Sequence, residues 1–285
     1  MNTREITQGA MVCAIYGLIL FLNQQTALFI ESGMSWIFVF PILIYTAKTN
    51  SQAGLISTIA MGLETIFFGG FTTWFYSWTS LCIGYVYGVS IQKRWQGISK
   101  LAVTFIFSMI SYLLIFFLWA KLFEVDYAAD FIMIQKFIPY INVTTFILLM
   151  VLSLSMLQTL CIHLLASLIC MRMRIETVPL KSIWQIEPSR PTGIFSIIIF
   201  IVLILGNNVI KYSKGIQNFI LILLFIDLIV LDYYGTIYLL KKYGNKNRKF
   251  VFLICLGAFI PVINIIWMLL GEADCLFNLQ LKEKR

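Results

Sequence analysis

Four ionisable side chains lie inside long apolar stretches of this sequence: Glu64, His163, Asp227 and Asp232. A carboxylate at the centre of a lipid bilayer costs about 3 kcal/mol even on lenient insertion scales, so each of these groups is expected to face protein or water. Carboxyl and imidazole groups at such depth bind ligands, pass protons or bond to other buried groups. They therefore predict binding or transport within a membrane.

Asp227 lies near the middle of the apolar stretch 218–240, and Asp232 follows one and a half helical turns later. On a helix the two carboxyl groups point about 140° apart, so we do not expect them to share one site. For Asp227 the alternatives are a ligand contact and a hydrogen bond to a structural partner. For Asp232 they include an ion pair with Lys241 or Lys242 at the membrane surface.

His163 is the one histidine, and it lies in the inner half of an apolar stretch at a depth similar to that of Asp232. Both ring nitrogens of a buried histidine need partners, and a carboxylate is a natural one. The alternative is a packed histidine without a proton-relay role. Glu64 has no cation near it in sequence, so it meets a positive or donor group of a ligand or remains a protonated structural residue.

Aromatic and amide groups add to this set. Trp74 and Trp78 share a helix face and can stack on a flat ligand, although an interfacial aromatic belt explains them as simply. Asn264 follows Pro261, whose ring frees a backbone carbonyl to line a cavity. The predicted substrate-binding residues are Glu64, Trp74, Trp78, Asp227 and Asn264, with His163 and Asp232 as further polar residues of the interior.

The elements that position these residues are membrane helices. Of 285 residues, 60% are hydrophobic and 12% are charged, which excludes an ordinary soluble domain. We predict a single all-α polytopic transmembrane bundle, residues 1–285, with about eight to nine spans. The spans are 8–30, 34–47, 53–69, 71–91, 101–123, 142–171, 193–211, 217–240 and 250–270. The second and third are short, and form either tilted crossings or a re-entrant pair.

Loop charges orient this bundle. Basic residues concentrate in the loops after the fourth, sixth and eighth segments, which predicts a cytoplasmic N-terminus and a multi-pass protein of the cell membrane. The net charge of +8 therefore reflects membrane topology, with lipid rather than nucleic acid as the partner. The six cysteines fall mostly in apolar stretches without metal-ligand spacing, so we expect no metal and no cofactor.

Two short motifs carry a family resemblance. The sequence Thr3-Arg4-Glu5-Ile6-Thr7-Gln8-Gly9-Ala10, together with Val178-Pro179-Leu180 and Trp184-Gln185-Ile186-Glu187-Pro188-Ser189-Arg190, resembles the YybS-like family (DUF2232) of bacterial membrane proteins. That family is distantly similar to the substrate-binding subunits of energy-coupling-factor transporters. The resemblance implies a binding subunit whose first helix docks on a separate energising membrane subunit with ATPases.

Ala10 and Ala14 have the spacing of that docking face, since small residues four apart let two helices approach closely in lipid. Ordinary packing within the bundle is the alternative. We predict a small-solute binding or transport subunit, and the alternative function is a non-transporting membrane scaffold of the cell envelope. No HExxH, paired-aspartate or Walker motif is present in the sequence, so we do not expect an enzyme.

Overall fold

The computed structural model describes residues 2–122, 124, 142–178, 185–205, 212–243, 251, 253–254, 257 and 261–279. Every regular element of these residues is helical, which confirms the predicted fold class. The α-helices are α1 Thr3–Gln25, α2 Phe29–Gly33, α3 Val39–Lys48, α4 Ser51–Gln92, α5 Gly97–Leu113, α6 Val143–Arg172, α7 Arg190–Leu205, α8 Lys214–Tyr243 and α9 Pro261–Phe277. A 3₁₀ turn, Ser35–Phe38, precedes α3, and α5 continues through a π-helical stretch, Leu114–Trp119, to Ala120–Leu122.

Five of the described helices are long and apolar enough to cross a bilayer. They are Thr3–Gln25, Ser51–Gln92, Gly97–Leu122, Val143–Arg172 and Gly215–Tyr243. Two further apolar helices, Ser35–Lys48 and Arg190–Leu205, are shorter. These helices fit a protein that passes through the membrane several times.

The chain forms two compact units. Unit 1 consists of Met1–Met133 and Met150–Leu180, and unit 2 of Ile134–Leu149 and Lys181–Arg285. Unit 1 therefore contains α1 to α5 and most of α6, whereas unit 2 contains α7, α8 and α9. Each unit has its own packed helices and its own buried polar groups.

The first helix begins and ends earlier than the predicted span 8–30. The Asn2 backbone N–H donates to Glu5 Oε2 at 3.0 Å, which satisfies one free donor at the helix start. The helix ends at Gln25, and Ala27 and Leu28 then adopt positive φ angles of 51° and 64°. The apolar residues that follow turn back into the short helix α2 instead of extending α1.

The chain reverses direction at Gly70, in the middle of α4. Gly70 has φ 77° and ψ −179°, a conformation that glycine tolerates far better than other residues. A Cβ on Gly54 or on Gly88 would meet the side chain of Thr46, so both glycines lie beside one residue. A straight helix would hold residues 54 and 88 about 50 Å apart. The halves 51–69 and 71–92 therefore run side by side in opposite directions, and correspond to the predicted segments 53–69 and 71–91.

Helix α3 fills the space beside these two halves. A Cβ on Gly84 would lie 2.6 Å from Ile42 Cγ2, and one on Gly88 would lie 2.9 Å from the carbonyl oxygen of Leu43. These two glycines have the four-residue spacing that allows close helix packing in lipid. Val39, Ile42 and Leu43 are completely buried. The predicted short segment 34–47 is thus enclosed by protein, with its helical core at Val39–Lys48.

In unit 2, the predicted last span 250–270 is interrupted. Helix α9 begins at Pro261, where the missing N–H costs nothing, and runs on to Phe277. Trp267 Nε1 donates to the carbonyl oxygen of Ile254 at 3.2 Å. A continuous helix would separate residues 254 and 267 by about 20 Å. Ile254 therefore lies beside α9 and is not part of one continuous helix with Trp267.

Helices α8 and α9 pack antiparallel with very little space between them. A Cβ on Gly235 would strike the carbonyl oxygen of Trp267, and a Cβ on Gly271 would strike that of Leu231. Because the partner residue number falls from 271 to 267 as the α8 number rises from 231 to 235, the two helices run in opposite directions. Glycines at both positions let the two backbones touch.

Candidate functional site

Three helices of unit 2 meet around Asp227. Helix α7 contacts both α8 and α9, and a Cβ on Gly193 of α7 would lie 3.1 Å from Cys275 Cβ of α9. The antiparallel register of α8 and α9 places the middle of α8 beside the C-terminal part of α9. The first half of α7 therefore lies beside residues 272–276 and near Asp227.

Asp227 lies near the middle of α8 and is 4% exposed. Its carboxyl group neighbours the hydroxyl group of Ser196, which is completely buried on α7. Apart from each other, Asp227 Oδ2 and Ser196 Oγ have no hydrogen-bond partner among the described residues. A buried polar atom without a partner costs about 1–3 kcal/mol, so this pair is a site that an additional group would stabilise.

A second carboxyl group lies close to this pair. Glu272 on α9 is near enough to Asp227 for their charges to interact, and Cys275 is influenced by both. Cys275 and Asp274 are completely buried. The three-helix junction therefore concentrates acidic groups in an interior where negative charge is costly.

The basic side chains that the structure describes in unit 2 are engaged elsewhere. Lys241 Nζ donates to the carbonyl oxygen of Ile186, and Lys242 Nζ donates to Tyr238 Oη at 3.1 Å. Arg190 lies beside the side-chain amide of Asn278. The one salt bridge between described residues joins Arg94 and Glu176, and both belong to unit 1.

Asp232 is half-buried further along α8, and its Oδ1 atom has no hydrogen-bond partner among the described residues. The same is true of Thr236 Oγ1, one helical turn later. Asp232 does not form the alternative ion pair with Lys241 or Lys242, since no salt bridge between these described residues occurs. Asp232 remains a separate polar position, turned about 140° from Asp227.

Asn264 is half-buried near the start of α9. Asp227 neighbours Glu272 and Cys275, which lie at least two helical turns beyond Asn264. At 1.5 Å per residue the offset is about 12 Å or more. The structure therefore does not bring Asn264 and Asp227 together, because α8 and α9 pack in a register that the sequence does not reveal.

The other predicted substrate-binding residues belong to unit 1. Glu64 is half-buried on α4, and a Cβ on Gly17 of α1 would strike its Oε1 atom. The rings of Trp74 and Trp78 stack on each other with centroids 6.4 Å apart, and Phe71 stacks on Trp74 at 5.7 Å. These aromatic rings therefore already cover part of one another's faces.

His163 has a tyrosine partner where the sequence suggested a carboxylate. His163 Nδ1 and Tyr87 Oη are 2.7 Å apart, and both side chains are buried in unit 1. Lys100, which is 2% exposed, donates from Nζ to the carbonyl oxygen of Val178 at 3.0 Å and is close enough to influence His163. This polar cluster is a hydrogen-bonded part of the packed interior.

Lys100 lies just before the predicted span 101–123 and so was predicted to lie in a loop. Ser196 and Glu272 were not among the predicted site residues. A signal for Lys100 exists, because Lys100, Thr104, Ser108 and Ser111 recur on one face of α5 and all are buried. A polar stripe on a membrane helix faces protein rather than lipid. Ser196 lies between apolar residues, and Glu272 lies beyond the predicted span, so neither had a comparable signal.

The predicted docking residues lie on the surface of α1. Ala10 and Ala14 are exposed, whereas the adjacent Gly9 is buried and a Cβ there would lie 3.0 Å from Tyr45 Oη. The small-residue positions of α1 therefore divide into an inner set that packs within unit 1 and an outer set that does not.

These helices, units and buried polar groups define an α-helical integral membrane protein. The family model for "Predicted membrane protein (DUF2232)" matches residues 14–142, which confirms the family resemblance over that part of the chain. The match includes Ala14, Glu64, Trp74 and Trp78, whereas Asp227 lies beyond it. No curated protein and no solved structure gave a match to the chain.

Proposed function

We propose that this protein is a membrane-embedded subunit that binds or transports a small solute, with Asp227 at the centre of the binding site. One observation carries this proposal: Asp227 Oδ2 and Ser196 Oγ are buried side by side and, apart from each other, have no hydrogen-bond partner among the described residues. Unpaired buried polar groups are rare in folded proteins, and functional sites are a common reason for them. A bound solute supplies the missing partner.

The depth of the pair supports a transport-type role. Asp227 lies about 20 Å along α8 from its first residue, near the midpoint of a helix that is long enough to cross a bilayer. Solute sites of membrane transporters commonly lie near the bilayer midplane, between helices. A bacterial plasma membrane and a separate energising subunit with ATPases are parts of this proposal that come from the family resemblance.

Ligand-dependent thermal stability tests the proposal. The full chain is purified in detergent and its unfolding temperature is measured with a panel of vitamin-like and lipid-like solutes, for wild type, Asp227→Asn and Asp232→Asn. We expect at least one solute to stabilise wild type and Asp232→Asn, and to lose that effect in Asp227→Asn, because Asp232 lies outside the Ser196 junction. If no solute shifts wild type, the proposal fails.

The second candidate function is a membrane scaffold, favoured by the exposure of Ala10 and Ala14 on one helix. Cysteine cross-linking in native membranes tests it, with Ala10→Cys and Ala14→Cys compared with Ile15→Cys, which is also exposed. A stoichiometric cross-linked partner at the two alanine positions alone supports a docking face. Co-purification of ATPase subunits with that partner favours the transport role, and their absence favours the scaffold.

A further inference from the structure

We propose that the solute bound at Asp227 is recognised through a protonated amine. This inference rests on the proposed function and specifies the chemical class of the ligand. Its basis is the composition of the α7–α8–α9 junction, which offers hydrogen-bond acceptors and negative charge.

The charge balance of the junction favours a cation. Asp227 is 4% exposed, and the carboxyl group of Glu272 lies near enough to interact with it. Two neighbouring carboxyl groups in a low-dielectric interior repel each other when both are ionised. Among the basic side chains that the structure describes in unit 2, those of Lys241 and Lys242 bond to other groups and that of Arg190 lies beside Asn278, so a ligand can supply the positive charge.

The hydrogen-bonding capacity of the junction matches an ammonium group. An ammonium has up to three N–H donors and needs acceptors. Asp227 Oδ2 and Ser196 Oγ are two buried atoms that can accept and, apart from each other, have no partner among the described residues. A hydroxyl group that accepts from an ammonium still has its own proton to donate. Ser196 can therefore accept from the ammonium and donate to the Asp227 carboxyl group.

A metal ion fits the same atoms less well. Calcium takes six to eight oxygen ligands and magnesium requires near-ideal octahedral geometry. Among the described residues, no group of three or more His, Cys, Asp or Glu side chains is arranged to hold a metal ion. One carboxylate oxygen and one hydroxyl suit an organic ammonium, whose remaining contacts are with apolar atoms.

Protection from a hydrophobic carbodiimide tests this inference on the wild-type chain. A hydrophobic carbodiimide adds to carboxyl groups in apolar surroundings and leaves an N-acylurea or, where methylamine captures the activated acyl group, a methylamide with release of the urea. Mass spectrometry of peptides counts both products and gives the total rate of modification at each residue. The protein in lipid nanodiscs is treated with methylammonium chloride, tetramethylammonium chloride or sodium chloride at equal ionic strength. Asp232, which also has an unpartnered carboxyl oxygen on α8, is the internal control.

We expect methylammonium to slow modification of Asp227 about tenfold when its concentration is ten times its dissociation constant, because only the unoccupied site reacts. Modification of Asp232 should not change. Tetramethylammonium, which has no N–H donor, should protect Asp227 much less. Ser196→Ala should weaken protection by methylammonium, since one acceptor is lost.

Other outcomes overturn the inference in distinguishable ways. If sodium slows modification of Asp227 as much as methylammonium does, compared with tetramethylammonium, the site binds an inorganic cation and the amine is rejected. If no cation protects Asp227 while a neutral solute stabilises wild type but not Asp227→Asn, the ligand class is wrong and the proposed function stands. If no cation protects and no solute stabilises, both proposals fail.

Discussion

Unit 1 and unit 2 bury ionisable side chains in different ways. In unit 1, Asn23 Nδ2 donates to the Glu31 carboxylate at 2.9 Å, Tyr87 bonds to His163, and Lys100 donates to a backbone carbonyl. In unit 2, Asp227 and Asp232 each have a buried carboxyl oxygen without a partner among the described residues. Buried polar networks stabilise a fold when every member is satisfied, and destabilise it when one is not.

The buried polar atoms without a hydrogen-bond partner among the described residues also differ in kind between the two units. Those in unit 1 are hydroxyl oxygens, on Thr46, Thr73 and Ser108, whereas those in unit 2 include carboxyl oxygens. An unpaired carboxylate costs far more than an unpaired hydroxyl in an apolar interior. Unit 2 therefore buries acidic atoms without partners among the described residues, and the proposed binding site rests on this difference from unit 1.

The largest effect is expected from Gly235→Val in unit 2. Its Cβ would strike the backbone carbonyl of Trp267, and backbone cannot rotate away as a side chain can. Overpacking commonly costs about 1–3 kcal/mol where neighbours can shift, so we expect a loss above about 3 kcal/mol here. Thermal unfolding in detergent measures it. Gly215→Ala on the same helix has open space and serves as the control, and equal stability of the two variants would contradict the close α8–α9 packing.

The next largest effect is expected from Gly70→Ala in unit 1. A Cβ at residue 70 has nothing within 4 Å, so the cost comes from the backbone conformation alone and should be about 1–3 kcal/mol. Gly62→Ala, in open space within the preceding helical half, should be neutral or slightly stabilising. The same unfolding assay compares them. Loss of stability in both variants would point to packing and not to the chain reversal.

Tyr87→Phe should destabilise unit 1 by about 1–2 kcal/mol, because His163 Nδ1 would remain buried without a partner. Tyr85→Phe is the matched control, since Tyr85 is only partly buried beside the core. Unfolding temperature and the nitrogen NMR shifts of His163 are the measurements. An unchanged His163 spectrum in Tyr87→Phe would show that the hydrogen bond is absent in solution.

Asp227→Asn should change the free energy of unfolding in the opposite direction to the preceding variants. Without ligand, replacing a buried carboxyl group whose Oδ2 atom has no partner beyond Ser196 among the described residues by a neutral amide should stabilise the protein by up to about 1 kcal/mol. Ser196→Ala, which removes the neighbouring orphaned hydroxyl, should also be neutral or stabilising. A clear loss of stability in Asp227→Asn would indicate that the carboxyl group has a structural partner, and the contrast between the units would disappear.

The smallest effect is expected from Arg94→Gln. Arg94 Nη2 and Glu176 Oε2 are 2.6 Å apart, but their side chains are 73% and 83% exposed. Exposed salt bridges contribute about 0–1 kcal/mol. A double-mutant cycle with Glu176→Gln should therefore give an interaction energy near zero. A larger coupling would show that this ion pair contributes to the stability of unit 1.

The sequence predicts the helices better than it predicts their contacts. Segment 142–171 differs from helix Val143–Arg172 by one residue at each end, because a long apolar stretch in lipid must satisfy its own backbone. The boundary between the predicted spans 53–69 and 71–91 falls at Gly70, because adjacent glycines interrupt an apolar stretch. The position of Ile254 beside α9 was not predicted, although proline at the first turn of α9 is a known helix-start signal.

The candidate site was predicted only in part. Asp227 was identified because a carboxyl group at mid-span is rare. Ser196 and Glu272 were not, because their proximity to Asp227 depends on the register of three helices. That register follows from the contact between Gly235 and Gly271, which are too far apart in the sequence to suggest a pairing without the structure.

The reversal at Gly70 also affects the lipid around the protein. Phe67, Phe68 and Phe71 surround it and are 82%, 64% and 59% exposed, so the tip of this hairpin is largely apolar, although the Gln24 side chain donates to the carbonyl oxygen of Phe68. Such a tip is expected to stop below the headgroups and to draw the adjacent leaflet inward. The membrane at this edge of the protein should then be locally thinned. The acyl-chain length of reconstituted vesicles would therefore influence the stability of the hairpin in the bilayer.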